Sequence, residues 1–469
     1  MTATAATPPV IEGAVASANR ARPAERHVAY VETVDFGPGT KVHRFRYPNG
    51  LTLLCEVDPS APVVALQTWV KVGSRMERPG KTGICHLFEH LMFGETEDRP
   101  HGAFDRLLEE AGAENNAATY VDWTFYQQNL PREALSLGLS LESSRFEKLV
   151  LQDHQVKSEK EVVANERRQR VDDSIDGFMN EVLFKEAFRV HGYGIPTIGW
   201  MEDIEGFTPD DCTSFYRTYY APNNATLVLV GDVALDETLG LVADTFGALA
   251  RSTIPEEVPR PEPPQEGERR VVLEKPTDTV KISVGYKCPA ISGADHPALV
   301  VANEILLGGR AGRVHKRLVK ERELASEVQG SVGFFEHPGL YELTLAGRED
   351  VAAEELLGGL DEVLDAFVTE PVSEAELERA KARLELETVQ SLESASGRAE
   401  TLGFYETLLG DPAALFGRLV AYRAVTAADV LRVARATLVR DSRTVVEVHP
   451  DGSALDEDDE EEDDEEDDS

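Results

Sequence analysis

The chain has 469 residues, of which 42% are hydrophobic and 28% charged, and it carries a formal net charge of −38. This length exceeds one ordinary core, so two to three domains are expected, with enough apolar material to fill them. The excess of acid argues against nucleic acid as a partner, and the absence of any run of about 18 apolar residues argues against a membrane span.

Residues 1–38 read as an N-terminal extension. Pro8, Pro9, Arg20 and Arg22 stand among alanines, without the apolar segment of a secretory signal, and a cytoplasmic enzyme is the simplest expectation. Cys55, Cys85, Cys212 and Cys288 are widely spaced and form no C-x-x-C pair. That spacing fits a reducing compartment and speaks against a thiolate metal site. Cys85 adjoins a histidine, yet a small buried hydrophobe is its expected role.

Residues 39–250 hold the chemistry. His86-Leu87-Phe88-Glu89-His90 sets two imidazoles four residues apart on one helix face, where their nitrogens can converge on one cation. Glu89 stands between them, placed to take a proton from a water that the metal activates. The order H-x-x-E-H is a short zinc motif, and Ile84, Leu87, Phe88, Leu91 and Met92 give the same helix an apolar face that a plain core helix would also show. Catalytic zinc takes three protein donors and keeps one position open, so a third donor is needed. Glu159, Val162, Val163 and Glu166 recur at i, i+3, i+4 and i+7, which predicts a helix with one inward stripe carrying two carboxylates. An ionised carboxylate on a buried face needs a partner: a cation, or else Arg167, Arg168 or Arg170.

These segments, together with Gly112-Ala113-Glu114-Asn115-Asn116-Ala117-Ala118-Thr119 and Asp122, Thr124 and Tyr126 between them, resemble the pitrilysin, insulysin and mitochondrial processing peptidase family. The resemblance implies that His86, His90 and Glu166 are ligands of one zinc ion per chain. It implies that Glu89 is the catalytic base and Glu159 an acid outside the ligand set. Asn116, Ala117 and Thr119 would belong to a strand that pairs with substrate backbone, a sequence-tolerant way to hold an extended peptide.

Further along, Phe207-Thr208-Pro209-Asp210-Asp211 opens a helix with a capping box, and Thr226–Gly231 reads as a buried strand. Residues 251–270 are a proline-dense linker. Residues 271–450 then repeat the first half: Thr426 precedes Thr444 by the interval that separates Thr208 from Thr226, and Ser373 through Glu387 mirrors Gln152 through Glu166. The fold class is therefore α+β, as two tandem homologous domains, each a mixed, mostly antiparallel sheet layered with helices. The second copy lacks the metal, because Val300, Asn303 and Glu304 occupy the places of His86, Glu89 and His90. The resemblance implies two halves that enclose the substrate, and a tyrosine in the second half opposite the zinc. Ser326 stands in that tyrosine's place. Losing an oxyanion donor costs about two to three orders of magnitude in rate, so a metal-less homologous companion chain is expected to supply the missing groups, as a heteromer, with a homodimer as the other arrangement.

Residues 451–469 form an acidic tail in which 456–468 are all Asp or Glu, expected to be disordered and solvating. The function expected is a zinc endopeptidase acting on peptides or unfolded segments, without nucleic acid or membrane. A non-catalytic assembly subunit of the same fold is the alternative.

Overall fold

A computed structural model describes residues 7–452 except Pro259, so the acidic run 456–468 lies outside the described residues. The strands of the first sheet are β1 (Ala29–Asp35), β2 (Lys41–Arg46), β3 (Thr52–Val57), β4 (Val63–Val70), β5 (Glu114–Thr119), β6 (Thr124–Pro131) and β7 (Ala225–Gly231), in the order β1-β2-β3-β7-β4-β6-β5. The second sheet contains β8 (Arg269–Lys275), β9 (Lys281–Cys288), β10 (Ala325–Val332), β11 (Gly339–Gly347) and β12 (Arg443–Pro450), in the order β10-β11-β9-β12-β8. Read from its other end, the second sheet is β8-β12-β9-β11-β10, which matches β3-β7-β4-β6-β5 strand for strand. The pairs β3·β7 and β8·β12 are parallel and every other pair is antiparallel. The α+β duplication expected from the repeat is thus present at the level of topology.

Local signals recur with it. Thr208 and Asp211 form a reciprocal capping box ahead of the helix Pro209–Tyr219, and Thr426 and Asp429 form another ahead of Ala427–Thr437. Both helices return through a short 3₁₀ turn into the parallel strand, β7 or β12. Ser174 and Ser394 cap two further equivalent helices, each accepting from the backbone N–H of a glycine three residues on.

Those two helices are exchanged. One compact unit takes residues up to Ala164, Thr197–Pro259 and Thr388–Gly417; the other takes Asn165–Pro196, Arg260–Glu387 and the chain from Arg418. In the first unit, Val42, Leu54, Ala65, Trp69, Phe125, Val228 and Val230 of the sheet pack on Ala399 and Leu402 of the helix Ala395–Leu409. Gly403 permits the approach, since a Cβ there would lie 2.0 Å from Trp69 Nε1. The opposite face of this sheet packs on the large core that includes Ile84, Leu87, Phe88 and Leu91. Covered on both faces, β4 is buried almost throughout and does not alternate. In the second unit the helix Ile175–Ala187, from the first half of the chain, covers β9 and β12, with Leu183 against Gly285.

The second unit also holds a buried histidine. His296 Nδ1 lies 2.9 Å from Arg418 Nη2, and Nε2 lies 3.0 Å from the Gly333 carbonyl oxygen. Arginine only donates, so Nδ1 accepts and Nε2–H donates, and the ring is neutral. Burial, with the Arg418 charge adding to it, pushes the pKa from 6.5 down to about 4. A folded pKa below the unfolded one means that the unfolded chain takes the proton first. The stabilisation is therefore complete above pH 6.5 and lost as pH falls towards 4. A loss of about 3 kcal/mol over this window is expected as a falling urea midpoint, and His296→Gln should flatten the slope. An equally steep slope in that variant would refute the assignment.

Candidate metal centre

The helix Ile84–Leu91 begins behind Gly83, whose φ is +87°. A side chain at Gly83 would also be blocked, because a Cβ would stand 2.4 Å from the Ile198 carbonyl oxygen and 2.8 Å from Gly199 Cα. Glycine is required there on both counts. Gly83 provides no side-chain cap, and the helix start is held from upstream instead. The backbone N–H groups of Gly83 and Cys85 donate to the two carboxylate oxygens of Glu77 at 2.7 and 2.8 Å. Burial pushes the Glu77 pKa up to about 8, against the pull of these amide bonds. Asp203 accepts from the Thr82 N–H at 3.0 Å and the Thr82 hydroxyl at 2.6 Å. Neither acid was legible as a site residue, since neither shares the helix period.

Ile84, Cys85, Leu87, Phe88 and Leu91 enter the core, as the apolar face predicts, with Phe88 against Phe215 and Tyr220. His86 is buried, and Glu89 and His90 are half-buried. The two imidazole rings meet edge to face with centroids 4.9 Å apart.

Glu166 comes from the last turn of the helix Asp153–Arg167. Its inward stripe differs from the expected one. Val156, Val163, Ala164 and Arg167 are buried, whereas Val162 is 45% exposed. Val162 and Val163 are a helix step of about 100° apart and cannot both centre one stripe. Glu159 and Glu166 consequently lie at its margin, half-buried, where a carboxylate can face a cation at less cost. The unit division falls inside this helix, after Ala164, so the backbone that carries Glu166 continues unbroken from the first unit.

One ring nitrogen each from His86 and His90 and one carboxylate oxygen of Glu166 all lie within 4.8 Å of one another. Among the described residues this is the one place where three such donors meet. Glu159 Oε2 stands 3.8 Å from His90 Nδ1, beside the cluster but outside it. The arginines next to Glu166 divide. Arg167 forms a fork with Glu181 at 2.7 and 3.0 Å, Arg168 donates to Asn165 Oδ1 at 2.6 Å, and Arg170 reaches Glu166 Oε1 at 3.0 Å. Arg170 is largely exposed, so its pair with Glu166 is weak beside what a divalent ion offers. Beyond Arg167 the chain passes into a π-helical stretch, Arg168–Asp172. Two imidazoles and a carboxylate are a donor set suited to zinc, and three donors leave a position open.

Asn116, Ala117 and Thr119 lie on β5, which pairs with β6 on one side and forms the edge of the sheet on the other. The neighbouring motif residues are structural. Asp122 accepts from Arg75 Nε at 2.6 Å, and the Thr124 hydroxyl donates to the Val72 carbonyl at 3.0 Å. The Tyr126 hydroxyl lies 3.3 Å from the Phe88 carbonyl and 2.7 Å from the Tyr220 hydroxyl, tying β6 to the histidine helix.

The equivalent place in the second unit holds an ion pair. Val300 is buried, Asn303 Nδ2 donates to the Gly330 carbonyl at 3.2 Å, and Glu304 pairs with Arg383. Burial raises the Glu304 pKa, and the charges of Arg383 and Arg379 oppose that rise. Ser326 is exposed, and its hydroxyl is within reach of the Ala346 and Gly347 carbonyls at 3.3 and 3.2 Å.

Duplicated sheets, one with an H-x-x-E-H helix and a distant glutamate converging and one with the donors replaced, define a metallopeptidase fold with one altered half. Residues 52–200 match the insulinase family (peptidase family M16), and residues 206–384 match the peptidase M16 inactive domain. The zinc protease PqqE of Helicobacter pylori is 30% identical over 76% of this chain and 81% of its own length. The mitochondrial-processing peptidase subunit beta of Blastocladiella emersonii is 25% identical over 88% of this chain and 89% of its own. The crystal structure of a protease from Helicobacter pylori superposes with a TM-score of 0.83 at 29% identity, covering 88% of this chain and all of that one. The chain belongs to peptidase family M16. No helix among the described residues is long and apolar enough to cross a membrane.

Proposed function

We propose that the protein is a zinc-dependent endopeptidase that hydrolyses peptides or unfolded segments, with one zinc ion per chain held by His86, His90 and Glu166. The observation that carries this reading is the convergence of those three donors within 4.8 Å. Zinc supplies Lewis acidity and a water made acidic near neutral pH. Glu89, on the same helix turn as both imidazoles, accepts the proton of the attacking water and returns it to the leaving amine. Glu159, 3.8 Å from His90 Nδ1, places a second acid beside that ring without entering the ligand set. The open edge of β5 takes the substrate backbone as an added strand, through Asn116, Ala117 and Thr119.

A metal-less homologous companion completes the enzyme. The Ser326 hydroxyl faces backbone carbonyls of its own sheet and offers little to a developing oxyanion. The purified chain is expected to contain one zinc per molecule and to cleave unfolded peptides only when the metal is present. Phenanthroline should abolish cleavage, and added zinc should restore it. Adding the companion should raise the rate about 10²–10³-fold. A metal-free chain with no turnover in any combination would instead identify an assembly subunit, and full turnover alone would remove the companion.

A further inference from the structure

Two features proposed above must keep a fixed spacing: the edge strand β5 and the helix of His86 and His90. One short segment, Gly73–Glu77, is bonded to both. At its first residue, the backbone is pressed against the turn after β5, where a Cβ on Gly73 would stand 2.4 Å from the Tyr120 carbonyl oxygen and 2.6 Å from the Val121 carbonyl. The Ser74 and Arg75 N–H groups donate to the Tyr120 and Val121 carbonyls at 3.2 and 3.0 Å. The Arg75 side chain is 2% exposed; its Nε donates to Asp122 at 2.6 Å, and its Nη1 pairs with Glu257. At the other end, Glu77 accepts from Gly83 and Cys85, the residues that start the histidine helix. Helices are ordinarily capped by the residue directly before them, yet here that residue is Gly83 and offers no side chain. The cap comes from the segment that also holds the turn after β5.

We propose that Gly73–Glu77 is a strap that sets the metal-binding helix against the substrate-binding edge. In it, Glu77 is the positioning residue for the metal, and Arg75, through Asp122, is the positioning residue for the peptide strand. This rests on the reading of the site as a zinc peptidase. A side chain that accepts from two unpaired N–H groups of a helix's first turn, one on each oxygen, fixes the helix's start and phase. Shifting that phase moves His86 and His90 together relative to Glu166. Loosening Arg75 from Asp122 instead moves the turn that ends β5 and leaves the helix start in place.

The two ends of the strap therefore separate into two readouts. Glu77→Gln is expected to weaken zinc about 10–100-fold in a chelator competition and to shift the visible bands of the cobalt-substituted protein, with KM within about twofold of wild type. Asp122→Asn is expected to raise KM roughly tenfold with zinc affinity and cobalt spectrum unchanged. Glu77→Asp keeps both acceptor oxygens and should recover part of the affinity; it also replaces Glu77→Gln should the amide variant fail to fold by circular dichroism. Variants that bind zinc and peptide as wild type does, or in which both quantities move together, overturn the strap and leave the zinc reading intact. A wild-type chain that takes up no zinc overturns the zinc reading and the strap with it.

Discussion

Glu89→Gln is expected to lower kcat by about 10²–10⁴-fold while the protein keeps its full complement of zinc. The two halves of this expectation have separate grounds. Metal retention follows because Glu89 is not among the three converging donors, and the amide is isosteric with the acid. Loss of turnover follows because an amide cannot accept the water proton, and no other carboxylate shares the helix turn with both imidazoles. Burial is the main cause of the raised pKa values of Tyr126 and Tyr220, and the charge of Glu89 adds to both. The check is kcat on an unfolded peptide alongside metal analysis of the same sample. A variant that keeps its metal and loses less than tenfold in kcat would show that Glu89 is not the base.

The parts of this molecule legible in its sequence are those governed by local period and spacing. His86 and His90 share a helix face because residues four apart do so in any α-helix. Thr208 with Asp211 and Thr426 with Asp429 announce their helices because a capping box is complete within four residues. The five-strand topology of each sheet follows from the repeat, once one copy is read as strand, strand, helix, strand pair, helices and returning strand.

What escapes such reading is any choice made at long range. The helices Ile175–Ala187 and Ala395–Leu409 are equivalent segments that cover each other's sheets. An amphipathic stripe records that a helix covers something apolar and is silent on which of two similar sheets that is. Glu77 was invisible for a related reason, since it lies outside the helix that it caps. The misplacement of Val162 has a different origin. Two adjacent valines fit either of two stripes, and only the packing of Val156, Val163 and Arg167 selects one.

Against β4 and β6 lies a buried ion pair whose disruption should have the largest effect on stability. Glu142 and Arg145, on the helix Leu135–Glu147, each have side chains 1% exposed and bond to one another. Glu142 also accepts from the Thr68 hydroxyl at 2.7 Å and from Gln128 Nε2 at 2.6 Å, while the Arg145 guanidinium lies 4.2 Å from the Tyr126 ring centroid and 4.8 Å from that of Phe104. Arg145→Met keeps most of the packing and strands a buried carboxylate. It is expected to cost about 3–5 kcal/mol, read from the urea midpoint. In Glu142→Gln/Arg145→Met neither charge remains, and the double variant should recover more than half of that loss, giving a coupling that neither single variant reveals. Because the Tyr126 ring against Arg145 carries the hydroxyl that reaches the Phe88 carbonyl, Arg145→Met should also loosen the helix that presents His86 and His90 and weaken its zinc. A loss under about 1 kcal/mol would mean that the pair is no more than a well-packed polar contact.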